Sequence, residues 1–157
     1  MEINNWKLKS NKGFSLIEIL VVIAIISVIS GITFYFFGNA NDRQVLEKNV
    51  SGVTSLIRNA RLLSVASKNA SVFGIHFESD KAVLFEGSSY LVGSPYEKII
   101  DLSREVYISS YSLNGGGSDV VFSRLVGETI NYGTVTISLK DNSTSTVITI
   151  LKTGVIQ

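Results

Sequence analysis

A single carboxylate, Glu18, lies near the start of a long apolar run in this chain. The run reads KGFSLIEILVVIAIISVISGITFYFF from Lys12 to Phe37, and no charged residue follows Glu18 within it. A carboxylate at the centre of a bilayer costs roughly 2.5–3.5 kcal/mol on insertion scales, so such groups are usually paired or functional. We expect Glu18 either to pair with a cation or to lie unpaired at the headgroup boundary.

His76 is the only histidine, and it lies in a predicted strand between Ile75 and Phe77. The chain has no Cys and no G-x-S-x-G pattern, so neither a thiolate metal site nor a nucleophile elbow is indicated. Glu78 and Asp80 are separated by one residue in a predicted hairpin, which is typical of turn residues facing solvent. We interpret His76 as structural and predict no catalytic residue and no enzyme activity.

Two loops contain residue types that bind ligands in other proteins. The Asp141-Asn142-Ser143 segment offers oxygen ligands for Ca²⁺ but lacks the length and charge of an EF-hand loop, and a hairpin turn is the simpler reading. The glycine-rich stretch Asn114–Ser118 is not followed by the Lys and Ser/Thr of a P-loop. We predict no metal and no cofactor, and leave Ca²⁺ binding by a strand loop open.

The length and composition of the chain fit one domain of ordinary size plus a membrane anchor. The chain has 157 residues, a net charge of +1 and 45% hydrophobic residues. Basic residues are scattered beyond residue 70, and the C-terminus TGVIQ has no basic tail. Because binding to nucleic acid requires clustered Lys and Arg, no nucleic acid is expected as a partner.

The apolar run has the length of a membrane helix. The 20 residues from Ile19 to Gly38 carry no charge, and 20 helical residues span about 30 Å. Lys7, Lys9 and Lys12 precede them, which places the N-terminus in the cytoplasm by the positive-inside rule. A secretory signal cleaved after Ser30 and a plain uncleaved anchor are two alternatives, but the first ignores the apolar residues beyond Ser30 and the second ignores Glu18.

The segment KGFSLIE, residues 12–18, resembles the processing motif of type IV prepilins and of type II secretion pseudopilins. The resemblance implies that a prepilin peptidase cleaves between Gly13 and Phe14 and methylates the new N-terminus on Phe14. It also implies that Glu18 is the acidic residue used in assembly. The remaining partners it implies are the inner membrane and other pilin or pseudopilin subunits, bound through the N-terminal helix.

Physical chemistry agrees with that role for Glu18. Cleavage after Gly13 would leave a cationic amine on Phe14, and the carboxylate of one subunit could then pair with the amine of its neighbour. Such a pair compensates two charges in lipid and fixes the axial offset of neighbouring helices.

The second half of the predicted helix is amphipathic. Leu46, Val50, Val53, Ile57 and Ala60 recur at spacings of three and four, which predicts a helix packed on a sheet. We therefore predict one long helix from Phe14 to about Ser67, with a bend or local melting at Gly38 and its Asn neighbours.

In the rest of the chain, short runs of alternating apolar and polar residues are separated by turn residues, which predicts antiparallel strands. The predicted strands are 71–78, 81–85, 98–102, 105–109, 119–123, 132–139 and 144–151, with a short strand at 155–156. The fold class is α+β, a long N-terminal helix packed on a C-terminal antiparallel β domain, as in a pilin-like roll. The expected segments are a leader at 1–13, a transmembrane assembly helix at 14–38, an amphipathic half at 39–68 and a periplasmic β domain at 69–157.

Three further segments resemble the minor pseudopilins called GspH/FimT-like. They are the RLLSVA stretch at 61–66, the segment from Phe122 to Gly127, and the closing Thr153-Gly154-Val155. This resemblance implies a minor pseudopilin that helps type II secretion move folded proteins across the outer membrane. A minor pilin of a type IV pilus, serving assembly, adhesion or DNA uptake, is the alternative within the class. A membrane-tethered enzyme or ligand-binding β domain is the alternative outside it.

Overall fold

A computed structural model describes residues 13–94 and 96–157, without the side chains of residues 33–40. Helix α1 runs from Leu16 to Val65, which is 50 residues. A short 3₁₀ helix, Lys68–Ala70, follows it. The predicted leader, apart from Gly13, lies outside the described residues, as do the three lysines at positions 7, 9 and 12.

The chain divides into two compact units between Asn39 and Ala40. In the first unit the described residues from Leu16 onward are helical. The second unit holds the rest of α1 and the seven strands found among the described residues. Among the described residues, no helix combines the length and the apolarity required to cross a membrane. The predicted span 14–38 ends among the residues whose side chains are not described.

Seven antiparallel strands form two sheets in the second unit. The four-stranded sheet has the order β3-β2-β1-β5, and the three-stranded sheet has the order β4-β6-β7. The strands are β1 Phe73–Phe77, β2 Lys81–Glu86, β3 Glu97–Asp101, β4 Val106–Leu113, β5 Asp119–Phe122, β6 Gly133–Leu139 and β7 Ser145–Ile150. The α+β fold class predicted from sequence is thereby confirmed, with one long helix and strands close to the predicted positions.

Strand β4 and the C-terminus depart most from the predicted bounds. Strand β4 continues to Leu113 instead of ending at Ser109, because a register shift between Ile108 and Ser110 lets it go on pairing with β6. The predicted final strand is a single bridge between Ile150 and Ile156. Backbone bonds between Thr149 and Gln157 in both directions hold this last segment on the outer edge of β7.

One core joins the helix to both sheets. Its α1 residues are Leu46, Val53, Leu56, Ile57 and Ala60, all buried, with Val50 and Leu63 partly buried beside them. Four of these five belong to the stripe predicted from sequence. Their partners include Phe73, Phe77 and Phe122 of the first sheet and Ile137 and Ile150 of the second. Replacing a residue such as Ile57 with Ala would cost about 2–5 kcal/mol.

Two buried polar residues attach α1 to the rest of the second unit, Ser64 to strand β1 and Asn49 to the β3–β4 loop. Ser64 is fully buried; its hydroxyl accepts from the N–H of Phe73 at 2.8 Å and donates to the carbonyl oxygen of Phe73 at 3.3 Å. Asn49 accepts from the N–H of Ser103 at 3.0 Å and donates to its hydroxyl at 3.0 Å. Since 15 helical residues rise about 22 Å, these contacts mark two well-separated ends of the second unit.

Candidate functional site

Helix α1 begins just after the predicted cleavage position. Gly13, Phe14 and Ser15 precede the helix, and the carbonyl oxygen of Ser15 accepts from the N–H groups of Glu18 and Ile19 at 3.0 and 3.2 Å. Glu18 therefore lies in the first turn, where the positive end of the helix dipole favours a carboxylate. Phe14 lies two residues before the helix, so in this structure it does not share a helical face with Glu18.

The apolar side chains of this segment are exposed. From Phe14 to Ile32 every large apolar side chain is at least 46% exposed, and Phe14 itself is 80% exposed. So large and continuous an apolar surface is not stable in water and indicates contact with lipid or with other protein. Glu18 is also exposed and makes no ion pair among the described residues.

His76 lies between two carboxylates on the second unit. Its Nδ1 is 2.5 Å from Oδ1 of Asp119, and its Nε2 is 3.8 Å from Oε1 of Glu78. The imidazole stacks on the ring of Tyr90 at a centroid distance of 4.3 Å. The N–H of Tyr90 donates to the other oxygen of Asp119 at 3.2 Å, so the cluster attaches the β2–β3 loop to the first sheet.

This cluster does not have the geometry of a serine hydrolase. The hydroxyl of Ser118 is 3.3 Å from Nδ1 of His76, the same nitrogen that faces Asp119. In a catalytic triad the serine and the carboxylate occupy opposite nitrogens of the imidazole. The arrangement supports the interpretation of His76 as a structural histidine.

The hairpin carboxylates make local interactions. The Nζ of Lys81 is 3.2 Å from Oε1 of Glu78, and the hydrogen bond and charge of Glu78 raise the pKa of Lys81 above its ordinary value. The backbone N–H of Ser143 donates to Asp141 at 2.9 Å, which lowers the pKa of Asp141. Within residues 13–94 and 96–157, no group of three or more His, Cys, Asp or Glu is placed to hold a metal.

The N-terminal segment matches a known family model. The model of the prokaryotic N-terminal methylation motif matches residues 8–34, which include Gly13, Phe14 and Glu18. The helix that begins within this motif and the antiparallel β sheets beyond it form the layout expected of a type IV pilin-like protein. The motif and this layout support a type IV pilin-like protein. No curated protein and no solved structure matches it.

The structure brings together the three segments on which the GspH/FimT-like interpretation of the sequence is based. The Nε of Arg61 donates to the carbonyl oxygen of Gly127 at 3.1 Å, and its Nη2 donates to that of Thr153 at 3.3 Å. We call this contact of α1, the β5–β6 loop and the C-terminal turn the Arg61 clamp. It comprises Arg61, Gly127, Thr153 and Gly154.

Two glycines of the Arg61 clamp have no room for a side chain. Gly127 has φ +74°, and a Cβ there would lie 2.6 Å from Cγ2 of Val65. Gly154 has φ +76°, and a Cβ there would lie 2.0 Å from the carbonyl oxygen of Gly127. Only glycine combines this backbone conformation with so close an approach. The sequence contained both glycines, but the hydrogen bonds from Arg61 to Gly127 and Thr153 span 66 and 92 positions and have no local signature.

Proposed function

We propose that this pilin-like protein is a minor pseudopilin, a structural subunit of a short type II secretion filament. The observation that carries the proposal is the methylation motif at residues 8–34, with Glu18 as the acid at the head of an exposed apolar helix. The three segments joined by the Arg61 clamp favour the GspH/FimT-like group. On this proposal the protein helps folded proteins cross the outer membrane and is not an enzyme.

The first step is removal of the leader. A prepilin peptidase cleaves between Gly13 and Phe14 and methylates the amine of Phe14. The described structure is compatible with access to this bond, because Gly13 and Phe14 precede the helix and Phe14 is 80% exposed. Cleavage converts a peptide nitrogen into a cationic amine four residues before Glu18.

The second step is pairing between subunits. Glu18 has no cationic partner among the described residues of its own chain, so a neighbour's Phe14 amine can take that place. Two charges that are each costly in lipid become one compensated pair. Packing of apolar side chains along the helix from Ile17 to Phe37 then adds attraction between subunits, and the ion pair sets their axial register.

We also propose a location for each part. The helix at 14–38 is anchored in the inner membrane, with the N-terminus cytoplasmic before processing. The second unit lies in the periplasm and contacts other pseudopilins. The lysines that precede the apolar run favour this orientation.

A type IV pilus minor pilin is the second candidate, supported by the same motif because both classes use it. Deletion of the gene distinguishes the two. Loss of an exported folded protein from the medium, with surface pili intact, supports the pseudopilin. Loss of pili with secretion intact supports the minor pilin.

Mass spectrometry of the mature chain tests the shared basis of both candidates. A chain that begins with N-methylated Phe14 is the expected result. An intact Met1 in cells that contain the peptidase, or a start after Ser30, contradicts the proposal.

Two variants separate processing from assembly. Gly13→Leu should block cleavage and leave the full-length chain in the membrane. Glu18→Ala should be cleaved largely as in the parent chain but should recover less protein in sheared filaments. Ser27→Ala is the matched control on the same exposed helix, since the one hydrogen bond of its hydroxyl among the described residues is to the carbonyl oxygen of Ile23 at 2.8 Å. If Glu18→Ala assembles as well as Ser27→Ala, the helix is only a tether.

A further inference from the structure

The four-stranded sheet carries a second apolar patch on the face that points away from α1. Ala82 and Leu84 of β2 belong to the core shared with the helix, whereas Val83 and Phe85 are fully buried but are not part of that core. Successive side chains of a strand point to opposite faces, so these two lie on the outer face of the sheet. We call Val83 and Phe85 the outer pair. A Cβ at Gly74, which pairs with Phe85 across the strands, would lie 2.7 Å from Cζ of Phe85, so that ring lies directly on the β1 backbone.

Part of the β2–β3 loop covers the outer pair. We call residues 87–94 the strap. The ring of Tyr90, at the middle of the strap, is 5.6 Å from the ring of Phe85 and stacks on the imidazole of His76 at 4.3 Å between centroids. The burial of the outer pair therefore depends on where Tyr90 lies.

Acidic residues on the two edge strands of the sheet hold the strap. On β3, Oε1 of Glu97 accepts from the N–H groups of Gly93 and Ser94 at 2.9 and 3.0 Å. On β5, Oδ2 of Asp119 accepts from the N–H of Tyr90 at 3.2 Å. We call the first attachment the Glu97 anchor and the second, together with the stacked imidazole, the Tyr90 latch. Because the latch contains a histidine, it can respond to protonation.

The charges in contact with His76 are acidic. Its Nδ1 is 2.5 Å from Oδ1 of Asp119, and its Nε2 is 3.8 Å from Oε1 of Glu78. The Nζ of Lys81 is 3.2 Å from the same oxygen of Glu78, so one cation competes with the imidazole for this carboxylate. Other polar or charged groups on this side of the sheet include the hydroxyl of Ser118, the phenol of Tyr90, Asp80 in the β1–β2 turn, Asp101 opposite Lys81, and Glu97.

Protonation of His76 strengthens the Tyr90 latch. The neutral imidazole has one N–H, which can face Asp119 or Glu78 but not both. The imidazolium has two N–H groups and a positive charge, so it attracts both carboxylates. Its charge also attracts the aromatic ring stacked on it. Since histidine ordinarily changes charge between about pH 5 and pH 8, the latch is strongest at the lower end of this range and weakens as the proton leaves.

We propose that the strap is a proton-controlled cover of the outer pair. Protonated His76 holds Tyr90 against the sheet, and loss of the proton releases it while the Glu97 anchor stays in place. Leu91 and Val92 at the end of the strap are already 71% and 89% exposed, so little buried apolar surface of the strap tip opposes opening. The inference concerns the second unit and goes beyond the proposed function, since it requires neither cleavage of the leader nor assembly.

Hydrogen exchange of the full chain in detergent, measured by NMR, tests the latch. Between about pH 5 and pH 8 the protection factor of the Tyr90 amide, which is corrected for the intrinsic effect of pH, should fall about two- to fivefold. The amides of Gly93 and Ser94, bound to Glu97 in the same strap, are the matched controls and should keep their protection factors. The chain has one histidine, so its imidazole signals report the protonation of His76 directly, and the fall should follow the same pH range.

Two variants test the role of the charge. His76→Gln keeps a hydrogen-bonding side chain that takes no proton, and it should abolish the pH dependence. Glu78→Gln leaves the Tyr90 latch in place but removes one of the two carboxylates that attract the imidazolium, so it should reduce the pH dependence. Glu47→Gln, exposed on α1 at the other face of the sheet, is the control and should behave as the parent chain. If His76→Gln does not fold, Glu78→Gln decides.

Three results overturn the inference. The first is a protection factor of the Tyr90 amide that does not change across this pH range. The second is an equal fall at Gly93 and Ser94, and the third is a pH dependence in Glu78→Gln equal to that in Glu47→Gln. None of them affects the proposed function, which rests on the N-terminal segment and is tested by the mass of the mature chain.

Discussion

The guanidinium of Arg61 donates to the carbonyl oxygen of Gly127, 66 residues further along the chain. Arg61 also reaches Thr153, so one side chain of α1 joins the β5–β6 loop and the C-terminal turn. One segment precedes β6 and the other follows β7, so both lie at the open end of the β6–β7 hairpin, where Gly133 pairs with Ile150. The contact therefore fixes the three-stranded sheet to the helix at a point where the apolar core ends.

Arg61→Ala should lower the free energy of unfolding by about 1–2 kcal/mol, because two carbonyl oxygens lose a charged donor in a partly exposed site. Denaturant unfolding of the full chain in detergent measures this. Arg58→Ala is the control, one helical turn earlier and exposed, and should change stability by less than about 0.5 kcal/mol. Equal effects of the two variants would show that the clamp contributes nothing.

Gly154→Ala should be destabilising by about 2–4 kcal/mol, because it combines an unfavourable φ with a collision against the carbonyl oxygen of Gly127. Gly116→Ala provides the comparison. Gly116 has a similar φ of +73°, but nothing lies within 4 Å of a Cβ placed there. That variant should cost only about 1 kcal/mol for its backbone. The difference between the thermal unfolding midpoints of Gly154→Ala and Gly116→Ala measures the cost of the collision alone. An equal loss of stability in the two variants would argue against close packing at the Arg61 clamp.

Ser64→Ala should cost about 1–3 kcal/mol, since it removes the hydroxyl that both accepts from and donates to the backbone of Phe73 at a buried site. Hydrogen exchange at the amide of Phe73 should accelerate in the same variant. Ser55→Ala, on the exposed face of the same helix, should leave both quantities nearly unchanged. Unaltered protection of the Phe73 amide would mean that the hydroxyl is dispensable.

The Asp141 carboxyl should titrate below its ordinary value of 3.8, because the N–H of Ser143 binds its charged form. A carboxyl with a depressed folded pKa stabilises the fold above the unfolded pKa, and that contribution disappears as the pH falls through the folded pKa. Asp141→Asn should therefore weaken the decline in stability below about pH 4. Carboxyl ¹³C chemical shifts measure the pKa directly, and a value at or above 3.8 would remove the basis for this prediction.

The sequence predicted the elements whose signals are local. The spacing of Leu46, Val53, Ile57 and Ala60 identified the buried face of α1, because a helix repeats its contacts every three to four residues. Alternation and turn residues located the strands, including the Asp141–Ser143 turn between β6 and β7. Glu18 and Gly13 stood out for the same reason, since the methylation motif is a contiguous segment.

Tertiary structure decided the relations between distant residues. Only the folded chain places Ser118 and Asp119 on the same nitrogen of His76, an arrangement that differs from a catalytic triad. It also decides that Gly127 and Gly154 meet Arg61, and that Leu125 is held exposed in a left-handed conformation with φ +67°. A residue's helical or strand preference depends on its immediate neighbours, whereas hydrogen bonds across 66 or more positions depend on how whole elements pack. That packing depends on apolar side chains from many segments that are buried together in the core, so it cannot be read from any one segment of the sequence.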